Sequence, residues 1–369
     1  MMTVCIALAG FFFECNVSAI GKGQTPYAIA RQISLPLDSL TINIVDYLQY
    51  IPEENSLSFF NTHRNSIYFY SLDSRKLSGT IDLSDYGIKD KVQGYLIEPE
   101  YIYAYVYFKM ILYRINRQTR NVETFRLPQK EVSFPKMLPA PFLLTVSPLK
   151  VIDGHIAVMS GCRAGENGYE NGSNCPTFTF YDMATKKTRY DINYPKVYTK
   201  DNWGGNTLYR LPFFDVNGKN ELVISFPASE DILVYSADGK SSAYPGRSGF
   251  VKKMAPYSKN KNVRRQQDKV FKWYLGNYSY EGMLYDSYRN VYYRVVRFPQ
   301  QTEFNEKKGN CKPVGIMVFD SKFELLKEFR LDTSVDYNPL CIFVSPGGLC
   351  INVKTDNEDE LFFHEIKIL

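Results

Sequence analysis

The chain has 369 residues, of which 44% are hydrophobic and 15% aromatic, and its formal net charge is +5. That length holds either two ordinary domains or one large repeat fold, with apolar side chains enough for a sizeable core. Residues 251–275 hold eight basic residues and one acid, a charge of +7, so the rest of the chain sums to −2; a near-neutral body excludes a general nucleic-acid-binding surface.

At the N-terminus, residues 4–13 (VCIALAGFFF) form an apolar run too short to span a bilayer, and Val17-Ser18-Ala19 fits a small-x-small signal-peptidase site. Export is expected, with residues 1–19 as signal peptide and the mature chain in the periplasm or at the cell surface. The missing element is a positive charge before Glu14. One alternative is a lipoprotein signal over 1–14 with Cys15 lipidated; the residue before such a cysteine is small, and here it is Glu14, which ranks cleavage after Ala19 ahead of it. The other is a buried first strand. No other segment approaches the length of a membrane span.

From residue 28 onward the pattern is that of strands. A first strand (28–37) stands alone. It is followed by runs at 44–50, 57–61, 66–72 and 77–83, separated by turn-forming Pro52–Asn55, Thr62–Asn65 and Asp73–Lys76. The third of these, IYFYSLDSRK (67–76), is a phrase that recurs: an apolar-aromatic run, an aromatic residue, a short polar residue, then a base. Copies stand at 110–120, 178–187, 232–240 and 316–324, with a degraded one at 361–369. Their aromatic anchors are Tyr70, Tyr113, Tyr181, Tyr235, Phe319 and, in the last, His364. The intervals are 43, 68, 54, 84 and 45 residues, the shortest of which match one four-stranded propeller blade. The longer ones require insertions, expected at 162–175, 196–206, 251–275 and 300–312. The last unit has room for three strands, and the spare strand at 28–37 can supply its fourth and close the ring, removing two exposed edges. A pair of β-sandwiches competes but leaves the anchors unexplained.

Several segments carry chemistry. Cys162 and Cys175 bracket a Gly/Asn/Ser-rich loop and read as a disulfide at its base, or equally as two free thiols. Arg163 and Trp203 lie in long loops, where a rigid scaffold carries function, though such an aromatic often only staples its loop. Asn217-Gly218 and Asp238-Gly239 are hairpin turns, which also explains the faint likeness of 215–221 to a calcium loop. A short amphipathic helix is expected over 264–274, with Val263, Val270, Phe271 and Tyr274 on one stripe. The segment around it is either a basic arm for an anionic partner or a solvated insertion. The run 285–294 (YDSYRNVYYR) is the richest constellation. Its turn, Asp286–Asn290, joins two strands. Tyr293 falls on one face with Arg297, and Arg294 on the other with Tyr292. Asp286, Arg289, Tyr293 and Arg294 are candidate binding residues, with the plainer reading that Arg294 is a buried arginine paired with a carboxylate between blades. If Val344 pairs with Leu349, Cys350 sits opposite Phe343 and diagonal to Cys341; bridging them is strained, so both read as small core residues. The pairing of Cys311 is open.

The segments ISLPLDSLTINIVDYLQYI (33–51), FFNTHRNSIYFYSLDSRKL (59–77) and above all YDSYRNVYYRVVRFP (285–299) resemble the exported β-propeller proteins of Bacteroides-type bacteria grouped as domain of unknown function 4221. The likeness covers nearly the whole chain. It implies a six-bladed propeller outside the cytoplasm, often lipid-anchored. That family has no established activity, so it transfers no catalytic residues.

The expectation is therefore an all-β chain: a six-bladed antiparallel β-propeller over residues 28–369, closed by an N-terminal strand. Its expected role is non-enzymatic, binding a protein or glycan partner through long loops on one face. The alternative is a hydrolase or lyase acting on a carbohydrate or lactone, with acids and a cation in the central channel. There is no GxSxG elbow, phosphate-binding glycine loop, HExxH or CxxC, and the three histidines are scattered. No metal, cofactor or nucleic-acid partner is expected.

Overall fold

The computed structural model describes residues 26–128 apart from 44, 46 and 62, then 141–161, 176–204, 207–259, 266–300 and 312–369. Chain order begins with β1 (Tyr27–Pro36). Blade 1 comprises β2 (Leu48–Ile51), β3 (Ser56–Asn61), β4 (Ser66–Ser71) and β5 (Lys76–Asp82). Blade 2 comprises β6 (Gly94–Ile97), β7 (Tyr101–Val106), β8 (Ile111–Asn116) and β9 (Val122–Arg126). In blade 3 these are β10 (Lys150–Ile152), β11 (Ile156–Ser160), β12 (Pro176–Asp182) and β13 (Lys187–Asn193). Two one-turn helices, α1 (Val197–Lys200) and α2 (Thr207–Arg210), lead to blade 4: β14 (Phe213–Val216), β15 (Leu222–Ser225), β16 (Asp231–Tyr235) and β17 (Ser241–Pro245). Helix α3 (Gln267–Leu275) precedes blade 5: β18 (Ser279–Asp286), β19 (Val291–Arg297), β20 (Val314–Phe319) and β21 (Leu325–Arg330). Blade 6 is β22 (Tyr337–Ser345), β23 (Gly348–Val353) and β24 (Glu360–Ile368), with β1 as its outer strand. All six sheets are four-stranded and antiparallel, so the molecule is the expected six-bladed β-propeller.

The six anchors of the repeated phrase all lie on the third strand of their blade: Tyr70 on β4, Tyr113 on β8, Tyr181 on β12, Tyr235 on β16, Phe319 on β20 and His364 on β24. The polar residue after the anchor has its own task. Asn116, Asp182 and Asp320 each accept two backbone N–H groups of the turn that follows (2.8–3.1 Å), and Ser71 accepts one from Ser74. These are Asx- and Ser-type turns, in which a side chain stands in for a backbone acceptor and sets the hairpin.

Closure follows from hydrophobic pattern. Strand β1 pairs with β24 from Tyr27↔Ile368 to Pro36↔Glu360, with an irregularity between Ile29 and Arg31. Its Ile33 and Leu35 are wholly buried and join Leu57, Phe59, Tyr68 and Tyr70 of blade 1 with Phe343 and Phe363 of blade 6 in one core. Burial of each such aliphatic side chain contributes about 1.5–3 kcal/mol. Proline at the last position of an edge strand costs no ladder bond.

Consecutive hairpins alternate ends, so the connections divide between two faces. First-to-second and third-to-fourth turns share one face and are all two to five residues long. Every longer connection, including 37–47, 83–93, 127–149, 194–212 and 246–278, is on the other face, where strands β11, β12, β19 and β20 also hand over to segments 162–175 and 301–311. The described parts of the insertions expected at 196–206 and 251–275 thus belong to that face, while 162–175 and 301–311 lie outside the described residues.

Two local expectations change. Strand β2 begins at Leu48 rather than at 44. Helix α3 spans Gln267–Leu275, and while Val270 and Tyr274 are buried, Phe271 is 38% exposed. Its place against the protein is taken by Trp273, whose ring lies 4.5 Å from that of Tyr209. Val263 lies outside the described residues, as do residues 1–19. Cys350 does sit opposite Phe343, and Cys341 and Cys350 are both buried in the core, the Cys341 thiol donating to the Val45 carbonyl.

Candidate functional site

Three of the residues singled out in the fifth blade meet, on the short-turn face. The Asp286 carboxylate is fully buried. Its Oδ1 accepts the backbone N–H of Tyr288 (2.9 Å) and Arg289 (3.0 Å); its Oδ2 accepts from Arg289 Nη1 and the Tyr293 hydroxyl, both at 2.8 Å. Arg289 also donates to the carbonyls of Ser345 and Pro346 in the turn of blade 6. Burial, then the Asp286 hydrogen bond, push the Tyr293 hydroxyl upward in pKa, so it stays protonated and donates. Four donors on one carboxylate make this cluster a bolt between blades 5 and 6.

Arg294, one residue on, points the other way. It is fully buried, and its guanidinium donates to Ser225 Oγ (3.0 Å) and the carbonyls of Glu230 (2.8 Å), Gly246 (2.8 Å) and Ser229 (2.7 Å), all in blade 4. It lies 3.8 Å over the Tyr280 ring. Burial lowers its pKa to about 10. The expected carboxylate partner is replaced by backbone carbonyls: the guanidinium fork matches a loop whose oxygens converge, which no sequence spacing reveals.

That loop, 228–231, is one wall of a cleft of about 800 Å³ on the long-connection face. The other walls are Pro195–Trp203, which holds α1, and Arg247–Lys259. Trp203 is 5% exposed; its indole N–H donates to the Val197 carbonyl (3.0 Å), and its ring packs on Tyr209 and Trp273. Beside it Gly204 (φ +80°) approaches α3 so closely that a Cβ would lie 2.9 Å from Val270 Cγ1. Trp203 therefore ties the insertion down and is almost wholly buried beside the cleft. Met254, Pro195 and Pro256 supply apolar surface. Of the cleft's charges, Arg247 reaches Glu230 (3.5 Å) and Lys259 reaches Asp201 (3.8 Å), while Lys196, Lys252 and Lys253 have no carboxylate within reach among the described residues. Arg163, Cys162, Cys175 and Cys311 lie outside the described residues.

Sequence reasoning missed a buried polar group at the mouth of blade 5. Glu281 Oε2 pairs with Arg297 (3.1 Å), and its Oε1 accepts from Tyr274 OH (2.7 Å) and Ser279 Oγ (3.2 Å). The Lys312 ammonium donates to Ser279 Oγ (2.9 Å) and lies 4.0 Å over the Tyr274 ring. Burial drives its pKa well below the usual lysine value. Alternation along β19 put Arg297 on one strand face with Tyr293; nothing pointed to Glu281 or Lys312. Among the described residues no group of three His, Cys, Asp or Glu side chains is placed to hold a metal, and no helix is long and apolar enough to cross a membrane.

The family model of domain of unknown function DUF4221 matches residues 29–330. A crystal structure of a DUF4221 member from Bacteroides vulgatus is similar at a TM-score of 0.75 and 19% identity, covering 93% of this chain and 98% of that one. A candidate exported protein from Bacteroides fragilis is similar at a TM-score of 0.57 and 9% identity, covering 92% and 95%. At these identities the likeness is one of fold. No curated protein matches the sequence.

Proposed function

The chain belongs to the DUF4221 family, and from that premise we propose that it is an exported, non-enzymatic propeller that binds an acidic segment of a partner protein in the long-connection-face cleft. The observation that carries this reading is the cleft itself. Two insertions far apart in sequence, 195–203 and 247–259, converge over blade 4. Among the described residues they leave Lys196, Lys252 and Lys253 without an ion pair, against one further carboxylate, Asp231, and Met254, Pro195 and Pro256 line the same cleft. Cations at a rim steer and orient an acidic partner, and apolar surface beneath supplies affinity. Arg294 supports the site by holding its 228–231 wall.

The test uses a fluorescein-labelled peptide alternating Glu with Leu. Its anisotropy should rise with the wild-type chain, the rise should shrink with added salt, and the Lys252→Glu/Lys253→Glu variant should abolish it. Equal binding by that variant, or none by wild type, sinks the proposal. Export rests on the apolar run 4–13, on Val17-Ser18-Ala19 and on the exported relative. N-terminal sequencing of native protein should begin at Ile20; a blocked Cys15 would mark a lipid anchor instead, and an intact Met1 would refute export.

A further inference from the structure

On the opposite, short-turn face, between blades 4 and 5, lies a cavity of about 550 Å³. That is within the range of small-molecule sites, about 300–1,000 Å³. Aromatic rings build its wall. The Phe323 ring lies between those of Tyr244 (4.6 Å, 34°) and Tyr292 (4.6 Å, 23°), and Tyr292 continues to Tyr285 (5.1 Å).

Phe323 is there at a backbone cost. In the third-to-fourth turns of blades 1 to 4 the left-handed position is held by Arg75, Arg120, Lys186 and Gly239, and in blade 5 by Phe323, at φ +64°. Glycine takes that conformation freely, and long polar side chains there simply enter solvent. A bulky aromatic in the left-handed region is unfavourable by an amount on the order of 1–3 kcal/mol, and such strain concentrates at ligand sites. Here it packs a buried ring between Tyr244 and Tyr292 and so holds the half-buried Tyr244 ring at the cavity surface.

The polar groups are also arranged. Asn217 Nδ2 donates to Glu221 Oε2 (2.9 Å) and to the Tyr292 hydroxyl (3.1 Å), and the Tyr285 hydroxyl donates to Asn290 Oδ1 (3.1 Å). These bonds fix the rings and the Glu221 carboxylate. Among the described residues the Tyr244 hydroxyl and Ser242 Oγ have no hydrogen-bond partner, and both line the cavity. Lys240 is paired with Asp238 (2.6 Å), whereas Lys219 and Lys322, also lining it, have no carboxylate within 4.0 Å among the described residues.

We infer that this cavity binds a pyranose sugar bearing a carboxylate, a uronic acid. The half-buried Tyr244 and Tyr285 rings line the cavity, and the negative face of an aromatic ring attracts the weakly positive C–H groups of a pyranose face. Glu221, Ser242 and Tyr244 offer acceptors and donors for ring hydroxyls, and Lys219 and Lys322 meet the carboxylate. A propeller with this site would hold an acidic glycan on one face and a protein on the other.

The test is saturation-transfer NMR on the full chain with digalacturonate, its neutral counterpart galactobiose, and inorganic phosphate. Transfer to digalacturonate ring protons is expected, with galactobiose at least about tenfold weaker; phosphate, which has no C–H protons to observe, is added as a competitor and should not displace digalacturonate at equal concentration. Lys322→Glu, a surface change that leaves the fold intact, and Tyr244→Ala should each weaken digalacturonate by roughly tenfold. The Lys252→Glu/Lys253→Glu variant, altered only in the opposite cleft, should bind it as wild type does, so that this inference and the proposal above fail separately. No transfer from wild type, unchanged affinity in Lys322→Glu and Tyr244→Ala, equal affinity for galactobiose, or displacement by phosphate at equal concentration would each overturn the assignment.

Discussion

Asp286 and Arg289 meet at 2.8 Å with the carboxylate wholly buried and the guanidinium about one-third exposed. The pair does not present itself to a ligand; Arg289 directs its remaining donors to blade 6. Removing one partner of such a pair leaves unequal consequences. Asp286→Ala strands the Tyr293 hydroxyl and two turn N–H groups, at an expected loss of about 3–5 kcal/mol. Arg289→Ala leaves the carboxylate with three donors and should cost about 1–2 kcal/mol. Urea unfolding of both variants checks the ratio; equal losses would mean that the turn, not the pair, carries the stability.

Arg294 is a second interblade clamp, but its partners are carbonyls. Arg294→Met leaves the carbonyls of Ser229, Glu230 and Gly246 without this donor, at about 1–3 kcal/mol for each one left unsatisfied. Lysine cannot reproduce the fork, so Arg294→Lys should recover little. Calorimetry should show a lowered Tm for both variants, and the acidic peptide should bind more weakly to both.

The ring should depend on its N-terminal strand. Ile33→Ala is expected to cost about 2–4 kcal/mol, and Ile33→Asp to abolish the cooperative transition, because the charge would enter the core shared by blades 6 and 1. Denaturation followed by circular dichroism decides this; a wild-type midpoint for Ile33→Asp would contradict closure by β1.

His364, the anchor of the degraded copy, is buried against Tyr337 and Phe362, and burial lowers its pKa. The unfolded chain therefore binds this proton more readily than the folded one. Above about pH 6.5 both states are neutral at this residue and its contribution is intact; as pH falls below that value the unfolded state gains the proton first and stability is lost. A stability profile from pH 7.5 to 5 should fall less steeply for His364→Phe than for wild type.

Much of the scaffold was legible because it is local and periodic. The aromatic anchors, the polar turn residue after each, and the orphan strand before Pro36 follow from alternation and hairpin chemistry within a few residues. The opposition of Cys350 and Phe343 followed from one two-residue turn. What stayed hidden is long-range. Ser229 and Gly246 lie 65 and 48 residues before Arg294, and only blade packing brings their carbonyls to it. The cleft needs 195–203 and 247–259 to converge. Phe323 reads as part of an ordinary turn until its φ and its neighbours are seen. Trp203 and Asp286 carried the right residue types for recognition, yet packing and hydrogen bonds consume them.

The most direct measurement is site-specific photo-crosslinking in the producing cells, with a photoreactive residue at Lys253 on the long-connection face or at Lys186 on the short-turn face. The account predicts a discrete protein adduct from position 253, lost when Lys252 is also changed to Glu, and no protein adduct from position 186. A protein adduct from position 186 alone, or from neither position, would contradict it.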